Sequence, residues 1–315
     1  MDKPRVRIAV IGLGDIAQKA YLPLLSRRRD LELVLCSRNA ERLQALAQEY
    51  RISHRATSVD ELMRFAPTAA FVHSSTDSHM EVATALLEQG VHVYLDKPIA
   101  FHLDQAESLV ALARARQRLL MLGFNRRCAP LYRGLLALPG RHLALLQKHR
   151  IGQPAAPREF IYDDFIHVVD TLRFLAPEPL AAPVVSARME RGLLHHVSVQ
   201  FKAPGFTGIG VMDRDSGASR ETLELMSPGS SWRIEDLNQA SETIRGREQR
   251  HGFGDWEPVL RRRGFEAIIE QFFTALQAPT PDPSWAEDAL ETHRHCEQIV
   301  RAIESGEAEP ARSGS

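Results

Sequence analysis

The stretch Val6–Ala17, VRIAVIGLGDIA, decides how the chain begins to fold. VRIAVI is a short apolar run rich in β-branched residues, which predicts a strand, and it feeds straight into a glycine turn and a helical segment. A dinucleotide-binding domain opens in that order. Gly12 permits the tight turn, Gly14 omits the Cβ that would block a pyrophosphate, and Ala17 stands where a third small residue lets helix and strand pack closely. Asp15 and Ile16 open the helix, whose free N–H groups are offered to phosphate. An ordinary glycine turn shares the pattern G-x-G-x-x-A, so the reading needs support further along the chain.

A dinucleotide whose adenosine ribose keeps a free 2′-hydroxyl calls for an acidic residue at the end of the next strand, about 20 positions on. Leu31–Cys36, LELVLC, reads as that strand, and it runs into Ser37-Arg38-Asn39 with no acid. A hydroxyl and a guanidinium suit a 2′-phosphate, so Ser37 and Arg38 favour NADP(H) over NAD(H), which stays possible. The competing reading of Arg38 is a solvated residue opening a helix over Ala40–Tyr50. A third cofactor element is Ala69–His79, AAFVHSSTDSH, an apolar strand running into a small polar loop before a helix over Met80–Gln89. Ser74, Ser75 and Thr76 are small enough for close backbone approach, and His79 either contacts the cofactor or caps the helix.

Gly90–Ala100, GVHVYLDKPIA, then delivers a lysine to the carboxyl end of another strand. Val91, Val93 and Leu95 alternate with His92, Tyr94 and Asp96, and Pro98 disfavours a helical conformation at Lys97. Open α/β sheets place their chemistry at that end of their strands, so Lys97 is a candidate catalytic amine, and Asp96 and Lys97 are candidate cofactor contacts. The plainer alternative is a surface lysine before a loop proline. Leu119–Phe124 reads as a further strand, and Asn125, just past it, is another candidate cofactor contact. The alternation of strands and helices from Val6 to about Gly123 predicts a parallel sheet.

At 315 residues, 44% hydrophobic and 25% charged, the chain is long and apolar enough for two domains. A formal net charge of −1 marks it as a binder of neither nucleic acid nor membrane. Cys36, Cys128 and Cys296 are odd in number and widely spaced, which fits a reducing compartment and neither a disulfide framework nor a zinc site. No apolar stretch is long enough to cross a bilayer and the first strand begins too near Met1 to leave room for a cleavable signal, so a cytoplasmic protein is expected. Neither His195 with His196 nor His293 with His295 converges on one ion, and no metal is expected.

From Asn125 onward the pattern changes. A helix around Leu131–Leu138, a Gly/Pro stretch at Ile151–Pro157 and a helix from about Asp163 to Leu175 are followed by strand-like runs between Val184 and Leu237. Helices return at Gly264–Leu276 and Ser284–Ile303, and the last residues, rich in Glu, Gly and Ser, are expected to fray. The expected division is a dinucleotide-binding domain over 1–124 and an α+β substrate and dimerisation domain over 125–315, with a mostly antiparallel sheet. In Tyr162–Asp170, YDDFIHVVD, Asp163 and His167 are spaced i, i+4, which puts a carboxylate and an imidazole on one helix face. The imidazole can pass a proton to or from a hydroxyl, and the carboxylate can orient it or bind substrate. A surface pair near a helix amino terminus is the structural alternative. Arg126, Arg150 and Tyr162 flank these residues without an assigned contact.

GLGDIA, YLDKPIA, GFNRRCAPLY at Gly123–Tyr132 and DDFIHVVD, in this order and spacing, resemble the Gfo/Idh/MocA oxidoreductases over nearly the whole chain, and within them the MviM-like branch. The resemblance implies a Rossmann domain followed by an α+β domain whose large open sheet often forms a dimer face. It also implies hydride exchange between nicotinamide and a sugar, cyclitol or related alcohol or carbonyl. Lys97 matches the lysine of the family's E-K-P, and Asp163 and His167 match the ends of its D-x-x-x-H. Asp96 replaces the usual glutamate, Ile166 replaces a glycine before the histidine, and Asp164 offers a second carboxylate. The expected protein is therefore an NADP(H)-preferring oxidoreductase, homo-oligomeric, acting on a small polar, carbohydrate-like substrate. Lys97, His167 and Asp163 would be its catalytic groups, facing each other across the nicotinamide. A cofactor-binding sensor without turnover and an imine or heterocycle reductase are the rival readings.

Overall fold

Parallel pairing organises the first part of the chain. In the computed structural model, which describes residues 5–310, six strands form one sheet: β1 (Val6–Ile11), β2 (Leu31–Cys36), β3 (His54–Ala56), β4 (Ala69–Val72), β5 (His92–Leu95) and β6 (Leu120–Leu122). Their order is β3-β2-β1-β4-β5-β6, and every neighbouring pair runs parallel. The direction of winding reverses between β1 and β4, and open sheets of this kind bind ligands at the carboxyl ends of the strands beside that point. Ile8, Ala9 and Val10 are wholly buried, as are all four residues of β4, which explains why these strands read as unbroken apolar runs. β3 escaped the sequence reading because His-Arg-Ala is three residues long and carries no apolar pattern.

Interresidue contacts divide the chain into two units, Met1–Gly123 with Ile268–Leu290, and Phe124–Ala267 with Glu291–Ser315. The division between the sheets falls after Gly123, and 268–290 clusters with the first unit. The reason is aromatic packing: Phe272 lies 5.0 Å from Phe71 and 5.5 Å from Tyr94 between ring centroids, and Arg28 covers the Phe273 ring at 4.1 Å and pairs with Glu270. Burying those rings against β4 and β5 contributes more than their place in the sequence suggests.

The second unit contains a nine-stranded sheet built from β7 (Leu143–His149), β8 (Val184–Glu190), β9 (Leu193–Ala203), β10 (Phe206–Asp213), β11 (Arg220–Ser227), β12 (Ser230–Glu235), β13 (Gln239–Ile244), β14 (Arg247–Gly252) and β15 (Glu309–Pro310). The order is β14-β13-β12-β11-β7-β10-β9-β8-β15. All pairings are antiparallel except β7 with β10 and β8 with β15. Of the last residues, expected to fray, Glu309 and Pro310 pair with β8, and 311–315 lie outside the described residues. Four strands of this sheet, β7, β13, β14 and the two-residue β15, were not anticipated. β7 reads Leu-Ala-Leu-Leu, which favours helix locally, and β13 and β14 are too polar to show a buried face. Their hairpin turns at Arg245-Gly246, both at positive φ, as two-residue hairpins require.

One face of this sheet is covered by the helix Ile166–Leu175, whose residues Ile166 to Leu172 are all buried. Gly210 makes the approach possible: a Cβ there would stand 2.7 Å from Val168 Cγ1. The helix does not begin as a regular α-helix at Asp163. Phe160–Phe165 forms a π-helical turn, in which the Ile166 N–H reaches back to the Ile161 carbonyl. The wider turn leaves Asp163 exposed and buries Asp164 and His167. Among the described residues, no helix is long and apolar enough to cross a membrane.

Candidate functional site

The carboxyl ends of β1, β2 and β4 enclose a cavity of about 610 Å³ within the first unit. Gly12, Gly14, Ser37, Arg38, Ser74 and Ser75 line it, together with Arg42, Asp60, Ser78 and Glu81. Gly12 holds a φ of +82°, and a Cβ on it would meet the Ser74 backbone nitrogen at 2.3 Å. A side chain is excluded there twice over, by conformation and by space. Beyond its two chain neighbours, no protein atom lies within 4 Å of the Cβ position at Gly14. The gap is not needed for packing, so it fits a group other than protein approaching the following helix, as a pyrophosphate does. Asn39 caps the next helix, Ala40–Glu49, by accepting from the Arg42 N–H at 2.9 Å, and Arg38 beside it stays exposed. The guanidinium is therefore both solvated next to the start of that helix and part of the cavity wall.

The remaining cofactor candidates do not line this cavity. Asp15 pairs with Lys19 at 2.8 Å on the surface, and Ile16 is half-buried at the start of the helix. The helix expected from Met80 begins earlier, Thr76–Glu88, so Thr76 and His79 lie inside its first turns. His79 neither caps nor faces the cavity. Its Nδ1 and Nε2 lie 2.8 Å and 3.0 Å from the carbonyl oxygens of Pro98 and Ser74, so it braces the segment after Lys97 against the loop after β4. Burial pulls its imidazole below the ordinary histidine value, against the two carbonyls and Asp96. Asn125 belongs to the second unit, where its side chain donates to the Arg263 carbonyl at 2.8 Å.

Lys97 follows β5, with its backbone N–H donating to Asp96 Oδ1 at 2.9 Å. His73 Nδ1 stands 3.6 Å from Asp96 Oδ2 and its ring lies 3.9 Å from that of Tyr21, whose hydroxyl meets Tyr94 Oη at 2.8 Å. Burial would push the Asp96 carboxyl up, but His73, Lys97 and His79 outweigh it and hold the group below its ordinary value. Asp96 therefore acts as a fixed anion that orients the lysine's backbone. His73, Tyr21 and Tyr94 were missed because nothing in their spacing ties them to residue 96.

In the second unit, the two carboxylates of Asp163-Asp164 differ in burial. Asp164 accepts from Lys148 and from Arg150 Nε at 2.7 Å, with Arg214 Nη2 at 3.7 Å, and these cations hold its carboxyl well below the usual range against the cost of burial. Asp163 is exposed, and His167 is buried within the same segment. Arg126 forks onto Glu221 at 2.9 Å and 2.7 Å, and Tyr162 donates to Glu297 at 3.0 Å. Among the described residues, no group of three or more His, Cys, Asp or Glu side chains is arranged to hold a metal ion.

With both units described, their likeness to known proteins can be placed. Residues 6–124 match the family model for the Gfo/Idh/MocA oxidoreductase family with an NAD-binding Rossmann fold, and residues 130–244 match the YceM-like C-terminal domain. The chain is 35% identical to YceM of Salmonella typhimurium over 308 residues, covering 94% of this chain and 97% of that one. The chain belongs to the Gfo/Idh/MocA oxidoreductase family. It is also 32% identical to the myo-inositol dehydrogenase Hyg17 of Streptomyces leeuwenhoekii, over 86% of this chain and 85% of the relative. The crystal structure of the dehydrogenase MviM from Clostridium difficile superposes with a TM-score of 0.88 at 31% identity, covering 94% of this chain and 99% of that one. This Gfo/Idh/MocA member is accordingly an oxidoreductase whose first unit is an NAD(P)-binding Rossmann fold.

Proposed function

We propose that this chain prefers NADP(H) and transfers hydride between the nicotinamide and a carbonyl or secondary hydroxyl of a small sugar- or cyclitol-like molecule. The observation that supports it most is Arg38: an exposed guanidinium lining the cavity beyond β2, where an NAD-specific site would carry an acid. Gly12, Gly14, Ser37, Ser74 and Ser75 would hold the dinucleotide, and the nicotinamide supplies or accepts the hydride when bound. Lys97 and His167 hold or move the proton at the substrate oxygen, and Asp163 binds substrate or steers the imidazole. The relative named as a myo-inositol dehydrogenase supports the cyclitol-like substrate class.

Lys97→Met is expected to keep NADPH binding and to lose about 10²-fold or more in turnover across a panel of sugars and cyclitols, the scale of a removed acid–base group. Unchanged turnover would take Lys97 out of the mechanism. We further propose a homodimer formed through the uncovered sheet face, where Leu145, Ile209 and Val211 are only half-buried, and residence in a reducing compartment, supported by three free, buried cysteines. Light scattering of the eluted protein at several concentrations tests the dimer.

A further inference from the structure

The covered face of the second sheet carries buried charge of one sign in excess. Along β7 the residues Ala144, Leu146 and Lys148 are buried in alternation, so the lysine occupies a position where two apolar residues precede it. Lys148 pairs in register with Glu221 of β11, and Arg150 and Arg214 follow the carboxyl ends of β7 and β10, joined by the Arg150 N–H to Asp213 carbonyl bond of 2.9 Å. The π turn Phe160–Phe165 sets Asp164 among them. Lys148, Arg150 and Arg214 thus share one carboxylate, while Glu221 is taken by Arg126 in a bidentate pair and by the Tyr132 hydroxyl at 3.0 Å.

Arg214 shows that the set is incomplete. Its side chain is 7% exposed, yet its Nε has no hydrogen-bond partner. Its other contacts are long: Nη1 to the Gln153 carbonyl at 3.5 Å, Nη2 to Asp164 at 3.7 Å, and the guanidinium carbon 4.5 Å above the Phe160 ring. Buried donors of this kind are almost always satisfied, and a guanidinium edge is shaped for two oxygens of one planar or tetrahedral anion. Arg150, 31% exposed, leaves the cluster one side open to solvent. We propose that Lys148, Arg150 and Arg214 form a recognition site for an oxyanion, a carboxylate or a phosphate, carried by the substrate. The assignment to substrate rests on the oxidoreductase reading above; the binding of an oxyanion does not.

Lys148 provides a readout that a merely structural ion cluster would not move. Burial first, and then Arg126 and Arg150, pull its ammonium down to about 7, against Asp164 and Glu221. An anion arriving beside it favours the charged form, so binding on the alkaline side of that value takes up a proton. The groups facing it are Arg126, Glu221, Asp164 and Arg150, with Arg214 acting through Asp164.

The test is titration calorimetry of the full-length protein with inorganic phosphate, D-gluconate and myo-inositol, on the alkaline side of neutrality, in buffers of different ionisation enthalpy, with and without NADPH. One of the two anions is expected to bind with proton uptake, and which one does so decides between phosphate and carboxylate; the neutral polyol takes up no proton. Arg214→Met, and Arg150→Met as the variant at the more exposed position, are expected to weaken that anion about tenfold or more while the NADPH affinity of both, read in the same titrations, stays at the wild-type value. Absence of anion binding, or unchanged anion affinity in both variants, overturns the proposal. Absence of anion binding with NADPH binding intact overturns this site and leaves the cofactor reading standing, whereas anion binding without NADPH binding sinks the NADP(H) preference and leaves this site standing.

Discussion

Replacing Arg38 by Asp isolates the cofactor claim, because the surrounding structure gives the side chain no other duty. The adjacent helix is capped by Asn39, not by Arg38, and the guanidinium is exposed at the cavity wall, so the substitution is expected to leave stability within about 0.5 kcal/mol. Its effect on NADPH follows from the lost interaction. A hydrogen bond to a charged group contributes about 1.5–3 kcal/mol, equivalent to a dissociation constant raised roughly ten- to hundredfold. The new carboxylate adds repulsion toward a 2′-phosphate, while Arg42 in the same cavity offsets part of it. NADH has no phosphate to lose and gains an acceptor for its 2′-hydroxyl, so its affinity should hold or improve. Fluorescence titration of both reduced cofactors against both proteins measures the ratio directly. If the NADPH to NADH affinity ratio is the same before and after, Arg38 does not read the phosphate and the preference argued here is wrong.

Gly12→Ala should cost about 1–2 kcal/mol from its φ of +82° alone, and more from the 2.3 Å approach to the Ser74 backbone. A lower urea midpoint together with weakened NADPH binding is expected, because the displaced Ser74 loop lines the same cavity; an unchanged midpoint would contradict the strain argument. Stability should also fall with acid. Burial pushes Glu221 up, but Arg126, Lys148 and Tyr132 hold it at about 2, below its ordinary 4.5, so its contribution is present above the unfolded value and is lost as pH drops through that window. Lys148 acts in the opposite range: between about 7 and the ordinary 10.5 the unfolded chain binds more protons than the folded one, so stability gains with rising pH. Melting temperatures across pH should show that alkaline component in the wild type and lose it in Lys148→Met.

The Rossmann sheet was legible because its signals are local. A β-branched run, a glycine turn and a helix sit side by side in Val6–Ala17, and the lack of an acid after Cys36 needs only the register of the second strand. Elements whose character comes from distant partners were not legible. β7 looks helical until β11 and β10 flank it, and Phe272 gives no hint that its ring belongs against Phe71 and Tyr94. The carboxylate doublet shows the same limit within one segment. Helical spacing gives Asp163 the i, i+4 relation to His167, but it does not show the π turn from Phe160 that leaves Asp163 exposed and sets Asp164 among the cations.

The amino-acid sequence alone determined the strand–turn–helix beginning, the family, and the residue types offered to a dinucleotide, since each depends on neighbours within a few positions. Tertiary structure alone decided that Lys148, Arg150, Asp164 and Arg214 meet, that His79 sits between the Pro98 and Ser74 carbonyls, and that residues 268–290 return to the first unit. Such meetings are set by strand order and by the burial of aromatic and charged groups across long separations, for which the chain carries no local mark.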